Sequence, residues 1–380
     1  MRHLRTASTT RIVTLLAAVV ALVLSAGFAQ AALDSDPKPA PKPLDRAILD
    51  AVNAPAVDGV SARVTFTNGL LPAGSLPNGA ASPLAAGAKG RLWLAGDGRI
   101  RLELQSDAGD AQIVAGDDRV TIYDSSSETA YVLPMQRGEP QEHERATLAD
   151  VQSGLDRLAR AWTLSGAQPT STGGRPTYTV RIAPKDDGGL LGAAELAWDA
   201  VKGVPLRAAV FAQGQDEPVL ELEVDDVSYG AIPDSTFEAN PPKGTRIVES
   251  DPGTGTDAHG RPTRVHGVEA VQKRLSFELS APKELAGLPR TDVRLVDAGG
   301  KPAALSVYGE GMGAIVVLQS EAGPEGRSPL QLPRINIDGA TGSELATPLG
   351  TLVTFRRGDV SYVVVGSVPP VAAENAARGL

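Results

Sequence analysis

Residues Arg99-Ile-Arg-Leu-Glu-Leu-Gln105 alternate without exception. In an extended chain Ile100, Leu102 and Leu104 fall on one face, and Arg99, Arg101, Glu103 and Gln105 on the other. A strand with one dry and one wet side belongs to an antiparallel sheet that buries a single face. Gly96-Asp97-Gly98 is a tight-turn signal that ties it to a preceding strand over 90–95. Outward from this hairpin the period of two recurs at 60–66, then at 111–115, 119–124 and 129–133, with polar turns between. It returns at 177–183, 195–200, 205–212 and 218–227. In the last of these Leu220, Leu222 and Val224 alternate with Glu221, Glu223 and Asp225. Residues 44–249 thus predict about ten strands and few helices, and so long a sheet with one apolar face must curl and be filled or capped.

Two stretches have helical spacing. Leu44, Ile48 and Val52 predict a short amphipathic helix. Thr147 with Asp150 three residues on resembles a capping box, and Leu148, Val151, Leu155, Leu158 and Trp162 follow at 3-4-3-4 spacing with Asp150, Asp156, Arg157 and Arg160 opposite. That stripe suits core packing on the sheet, or a lid over its apolar face. Residues 68–89, rich in Gly, Pro, Asn and Ala, are expected to form a hairpin loop or insertion.

At 380 residues the chain is long enough for two ordinary domains. Residues 250–263, Ser-Asp-Pro-Gly-Thr-Gly-Thr-Asp-Ala-His-Gly-Arg-Pro-Thr, have almost no apolar content and mark the boundary. Beyond it, 264–380 predicts a smaller α+β unit. A helix is expected at 268–275, strands at 293–296, 304–308, 314–319, 351–356 and 360–366, and a terminal helix opened by Pro369 and ending near Gly379.

The N-terminus has the layout of an export signal. Arg2, Arg5 and Arg11 precede an apolar run at 12–24, and Ala29-Gln30-Ala31 supplies the small-x-small cleavage pattern, so 1–31 is expected to be a signal peptide. An uncleaved membrane anchor is the alternative; either way the rest of the chain is expected to be extracytoplasmic. Residues 32–43 include Asp36-Pro-Lys-Pro-Ala-Pro-Lys-Pro43, an extended spacer. The chain carries a net charge of −9, and losing three leader arginines makes it more acidic still. Such a surface repels nucleic acid and anionic headgroups.

Little in the sequence supports catalysis. There is no cysteine, which excludes disulfides, thiolate metal sites, thiol chemistry and a lipidated cysteine anchor. The four histidines, His3, His143, His259 and His266, do not fall at metal-ligand spacing. There is no G-x-S-x-G elbow and no P-loop. Gly309-Glu-Gly-Met-Gly313 is expected to join two strands, whereas a phosphate site needs a helix N-terminus. Asp117-Asp118 and Asp186-Asp187-Gly188-Gly189 read as exposed turns. No cofactor is expected, and the chain is not expected to be an enzyme.

Several segments, in order, resemble one family. Asp58-Gly-Val-Ser-Ala-Arg-Val-Thr-Phe66 and Lys89-Gly-Arg-Leu-Trp-Leu94 are similar to the opening strands of LolA-type periplasmic lipoprotein carriers. Gln112-Ile-Val-Ala-Gly-Asp-Asp-Arg-Val-Thr-Ile-Tyr-Asp124 with Glu128-Thr-Ala-Tyr131 resembles their central hairpin, and Ser235-Thr-Phe-Glu-Ala-Asn-Pro-Pro-Lys-Gly-Thr-Arg-Ile247 their closing segment. The resemblance implies an unclosed antiparallel β-barrel with a helical lid over an apolar cavity. The second unit, ending Gly366-Ser-Val-Pro-Pro-Val-Ala-Ala-Glu-Asn-Ala-Ala377, is similar to the small C-terminal domain of the RseB family. The carriers place an arginine soon after the Leu-Trp strand, where it latches the lid. Here the matching stretch is Ala95-Gly96-Asp97, with Arg99 and Arg101 following, a departure that bears on the latch and on handover of triacylated lipoproteins.

These readings lead to a non-enzymatic binding protein that holds acyl chains of a lipid or lipoprotein. The expected cavity positions are Leu92, Leu94, Ile100, Leu102, Leu104, Ile113, Val120, Ile122, Leu220 and Leu222, with Leu155 and Leu158 from the lid; each also suits plain core packing. The alternative is an RseB-like regulator that binds the outer segment of a transmembrane anti-sigma factor.

Overall fold

The computed structural model describes residues 37–71, 82–107, 109–116, 118–135, 145–185, 189–249, 265–298, 301–323 and 332–380. The leader expected at 1–31, the linker at 250–263, His143, His259, Asp117 and Asp186-Asp187 lie outside the described residues.

The chain is mainly β. After α1 (Leu44–Val52) come β1 (Gly59–Asn68), a short α2 (Pro83–Ala86), β2 (Ala88–Ala95), β3 (Ile100–Ser106), β4 (Gly109–Ala115), β5 (Arg119–Asp124) and β6 (Thr129–Pro134). Helix α3 (Leu148–Leu158) interrupts the sheet, which resumes with β7 (Trp162–Leu164), β8 (Gln168–Thr172), β9 (Arg175–Pro184), β10 (Leu191–Asp199), β11 (Pro205–Ala212), β12 (Pro218–Tyr229) and, after a 3-10 turn at Asp234–Phe237, β13 (Arg246–Glu249). These form one 13-stranded sheet in the order β13-β6-β5-β4-β3-β2-β1-β12-β11-β10-β9-β7, with β8 on β9. The end strands β13 and β7 do not pair, so the curled sheet is an unclosed half-barrel, antiparallel except for β13 beside β6.

Three of these strands differ from the sequence expectation. Trp162 does not extend the α3 stripe: the helix ends at Leu158, and Trp162 opens β7, paired with Pro184 of β9. Strand β8 has no apolar alternation to reveal it. A hydroxyl cluster holds it instead, with Thr170 Oγ1 lying 2.9 Å from the Thr177 hydroxyl and 2.7 Å from that of Thr179. In β12 the alternation slips by one at a bulge opposite Arg63 and Val64, which leaves Asp225 and Asp226 exposed and returns Val227 to the apolar face.

The second sheet has eight strands, β14 (Glu284–Leu285), β15 (Leu288–Asp297), β16 (Pro302–Tyr308), β17 (Ile315–Glu321), β18 (Arg334–Ile337), β19 (Ala340–Thr347), β20 (Gly350–Arg357) and β21 (Val360–Gly366), in the order β14-β15-β16-β17-β21-β20-β19-β18. Helix α4 (Val268–Gln272) precedes it, and α5 (Pro370–Arg378) follows, with Pro370 in its first turn and Pro369 as the cap residue. Ala373, Ala376 and Ala377 of α5 are buried with Ile315, Val317, Val353 and Val364, so small residues bring the helix close to one face of the sheet. Gly309–Gly313 does join two strands, β16 and β17, with Gly309 at φ 79° and Gly311 at φ 68°. Sequence periodicity missed the β18–β19 hairpin, although Asp338-Gly339 is a two-residue hairpin signal; both residues have positive φ, 47° and 88°.

Candidate functional site

Strand register decides which side chains share a face. One row crosses seven strands: Val227, Ala62, Leu92, Leu102, Ile113, Ile122 and Tyr131 stand directly opposite one another from β12 to β6. A second row runs Val60, Leu94, Ile100, Ala115 and Val120. Leu104 lies opposite Ala111, and Leu222 opposite Phe66, which is in phase with Val60, Ala62 and Val64. Since side chains alternate along a strand, all ten strand positions expected from the sequence lie on one face.

Burial divides this face. From Val204 and β11 across β12 and β1 to Leu104 of β3 it has a filled core: Val60, Val64, Val204, Leu206, Val224 and Leu104 are all nearly inaccessible. Leu92, Leu94, Leu102 and Leu222 pack partly against that core. Ile100, Ile113, Val120, Ile122 and Leu220 are half-buried and, among the described residues, belong to no buried cluster. At the β9–β10 end α1 covers the same face, with Ala47 and Ala51 against Tyr178, Val180 and Trp198.

Helix α3 is built by its cap. The Thr147 hydroxyl accepts from the Asp150 amide at 3.3 Å, and the Thr147 amide donates to the Asp150 carboxylate at 2.9 Å. The Thr147 hydroxyl also donates to the Asp150 carboxylate at 2.6 Å, and this bond, with that from the Thr147 amide, holds the Asp150 carboxyl below its usual range. The helix leans on α1, tied by Gln152 Nε2 to Asp45 at 3.0 Å and by Asn53 Nδ2 to the Ala146 carbonyl at 2.8 Å. None of its residues is fully buried; Leu148, Val151, Leu155 and Leu158 all stay partly exposed. An amphipathic stripe that its own protein leaves half-covered is unusual for a helix whose only task is core packing.

Arg99 and Arg101 do not reach α3. Arg99 pairs with Asp97 at 2.7 Å and Asp234 at 2.6 Å, with its guanidinium 4.9 Å from the Phe237 ring centre. Arg101 donates to the carbonyls of Thr236 and Glu238. Both secure the closing segment on the polar face.

The polar face also carries a charge ladder. Arg207 donates to Glu221 at 2.6 Å and Glu195 at 2.8 Å, and Arg181 donates to Glu195 at 2.8 Å. Burial works against the Glu195 carboxylate, but Arg207 and Arg181 outweigh it and hold its pKa below the usual range. Glu223 is pushed up by burial and by neighbouring Glu221. On the apolar side, burial and the Asp199 charge raise the Tyr229 phenol, which donates to Asp199 at 2.7 Å.

A separate cleft of about 530 Å³ opens at the end of β1–β3, lined by Thr65, Phe66, Thr67, Lys89, Gln105 and Asp107 among others. None of the twelve expected residues lines it. Among the described residues no three or more His, Asp or Glu side chains gather as a metal would require, and no helix is long and apolar enough to cross a membrane.

Together the fold and site define a half-barrel with an apolar inner face, one helix packed on that face and a second, half-covered helix leaning on the first. No family model matches the sequence, and no curated protein does. Among solved structures, MucB of Pseudomonas aeruginosa with MucA is similar at 16% identity and a TM-score of 0.43, covering 88% of this chain and 94% of that one. A LolA superfamily protein from Nitrosomonas europaea is similar at 10% identity and a TM-score of 0.21, covering 52% and 98%. A putative outer membrane lipoprotein-sorting protein domain from Vibrio parahaemolyticus is similar at 10% identity and a TM-score of 0.22, covering 51% and 95%. At this distance the likeness concerns fold alone.

Proposed function

We propose that this is an exported, non-enzymatic protein whose half-barrel, formed within 44–249 as a domain distinct from 264–380, holds acyl chains of a lipid or lipoprotein. One observation carries the reading. Ile100, Ile113, Val120 and Ile122 extend the apolar face beyond its filled core, and the stripe of α3, with Leu155 and Leu158, is equally uncovered. An acyl chain between the two surfaces gains about 0.8 kcal/mol per buried methylene with no polar contact needed. The face is lined by aliphatic side chains, which suits hydrocarbon and offers nothing to a charged substrate. Native mass spectrometry and solvent extraction of protein purified from its export compartment test this: copurifying lipid is expected, and repeated absence of lipid with an empty inner face would refute it.

A second reading, an RseB-like regulator binding the outer segment of a transmembrane anti-sigma factor, is favoured by the second sheet, which acyl storage does not require. Pull-down with membrane-anchored extracytoplasmic tails separates the two readings.

A further inference from the structure

Among the described residues, helices cover only one face of the second sheet. Opposite the α5 side, Val307, Val316, Val365, Leu352 and Leu345 stand in register across β16, β17, β21, β20 and β19. One step along the strands, Leu305, Leu318 and Val363 form a shorter parallel row. None of these side chains is buried, Val365 is 41% exposed, and among the described residues no helix lies over them. A continuous aliphatic strip on an otherwise acidic chain marks an interaction surface.

The size of the strip and the charges around it narrow the occupant. Five strands span about 19 Å and two rows about 7 Å, which matches one face of a helix about 13 residues long. The same sheet already accepts a helix on its other face, where α5 packs. A helix satisfies its own backbone groups and needs only the apolar contact. The strip's rim is basic. Arg294 and Arg334 end its second row, and Arg356 stands one step beyond. Among the described residues Asp292 is the acid in register with these rows, and it already lies 3.8 Å from Arg294 and 3.3 Å from His266. Among the described residues Arg334 and Arg356 have no carboxylate partner; Arg356 donates only to the Gly358 and Gly323 carbonyls. A second copy would set arginine against arginine, and the chain's own N-terminal apolar stretch carries Arg2, Arg5 and Arg11. The strip also continues from an existing contact. Two residues beyond Val365, Ser367 accepts the Leu190 amide from the half-barrel, to its carbonyl at 3.1 Å and its hydroxyl at 3.0 Å.

We infer that this face docks an amphipathic helix of a partner protein whose polar side is acidic. The apolar side of that helix lies on the Val365 row and its carboxylates reach Arg334 and Arg356. The assignment does not depend on what fills the half-barrel.

The test uses the full chain and a labelled synthetic helix with Leu at the i, i+3, i+4 and i+7 positions and Glu elsewhere, beside a twin with Lys for Glu. The acidic peptide is expected to bind at least about tenfold tighter than the basic one. Val365→Asp should abolish binding, and Arg334→Glu with Arg356→Glu should reverse the preference. Val371→Asp, on an exposed aliphatic of α5, should change nothing and controls for general stickiness. Circular dichroism confirms that each variant folds. Equal binding of both peptides, or acidic binding that survives Val365→Asp, overturns the proposal. So does Val365-dependent dimerisation, or Val365-dependent flotation with phosphatidylglycerol vesicles, without peptide binding.

Discussion

Ile113 of β4 stands directly opposite Ile122 of β5, and both remain half-exposed although they share a face with the nearly inaccessible Leu104. The same apolar surface is thus a packed core at one end and an open lining at the other. Only the open part is left for the cargo proposed above.

That division is measurable as stability. Leu104→Ala should cost about 3 kcal/mol, because it leaves a cavity in close packing, while Ile122→Ala should cost about 1 kcal/mol. Urea unfolding of the two variants checks this. Equal losses would mean that the lining is core.

The lid can be tested by charge. Leu155 is half-buried on the stripe of α3 and Asp156 is fully on its outer side. Leu155→Asp should weaken helix docking and release bound lipid faster, whereas Asp156→Ala should leave both unchanged. Hydrogen exchange across α3 and retained lipid are the readouts, and matching effects would reject the lid assignment.

Much of this was legible in the sequence. Strict alternation in β3 and over Leu220–Val224 of β12 revealed the apolar face, and Thr147 with Asp150 marked the start of α3. The end of α3 was not, because Leu158-Ala-Arg-Ala-Trp162 contains no Gly or Pro stop, and the pairing of Trp162 with Pro184 of β9 ends the helix from outside. Strand β8, Gln-Pro-Thr-Ser-Thr, was hidden because hydroxyls rather than aliphatic side chains hold it. The split between core and lining was also hidden: Leu104 and Ile113 read alike in sequence and differ only in what lies above them.

The contact between the two sheets rests on a glycine. Gly189 has φ +62°, and a Cβ there would lie 2.1 Å from the Ser367 carbonyl oxygen. Gly189→Val should therefore break the Leu190–Ser367 bonds. The Leu190 amide is expected to lose its protection from hydrogen exchange while amides of β3 keep theirs. Unchanged exchange at Leu190 would show that the contact does not form in solution.

The charge ladder should give acid-sensitive stability. Glu195 has a depressed pKa, so its contribution is present above the ordinary carboxylate value and is lost as pH falls through the folded one. Arg207→Ala leaves Glu195 and Glu221 half-buried without their shared partner and should cost about 2 kcal/mol at neutral pH. The deficit should shrink in acid, where those carboxyls are protonated. A deficit independent of pH would assign the loss to packing of the arginine stem.

The most direct test of the central claim is titration of delipidated protein with a dansyl-labelled long-chain fatty acid. The open inner face predicts saturable binding with a blue-shifted emission, lost in Ile113→Asp and retained in Asp156→Ala. Absence of a blue shift, or an identical one in Ile113→Asp, would contradict it.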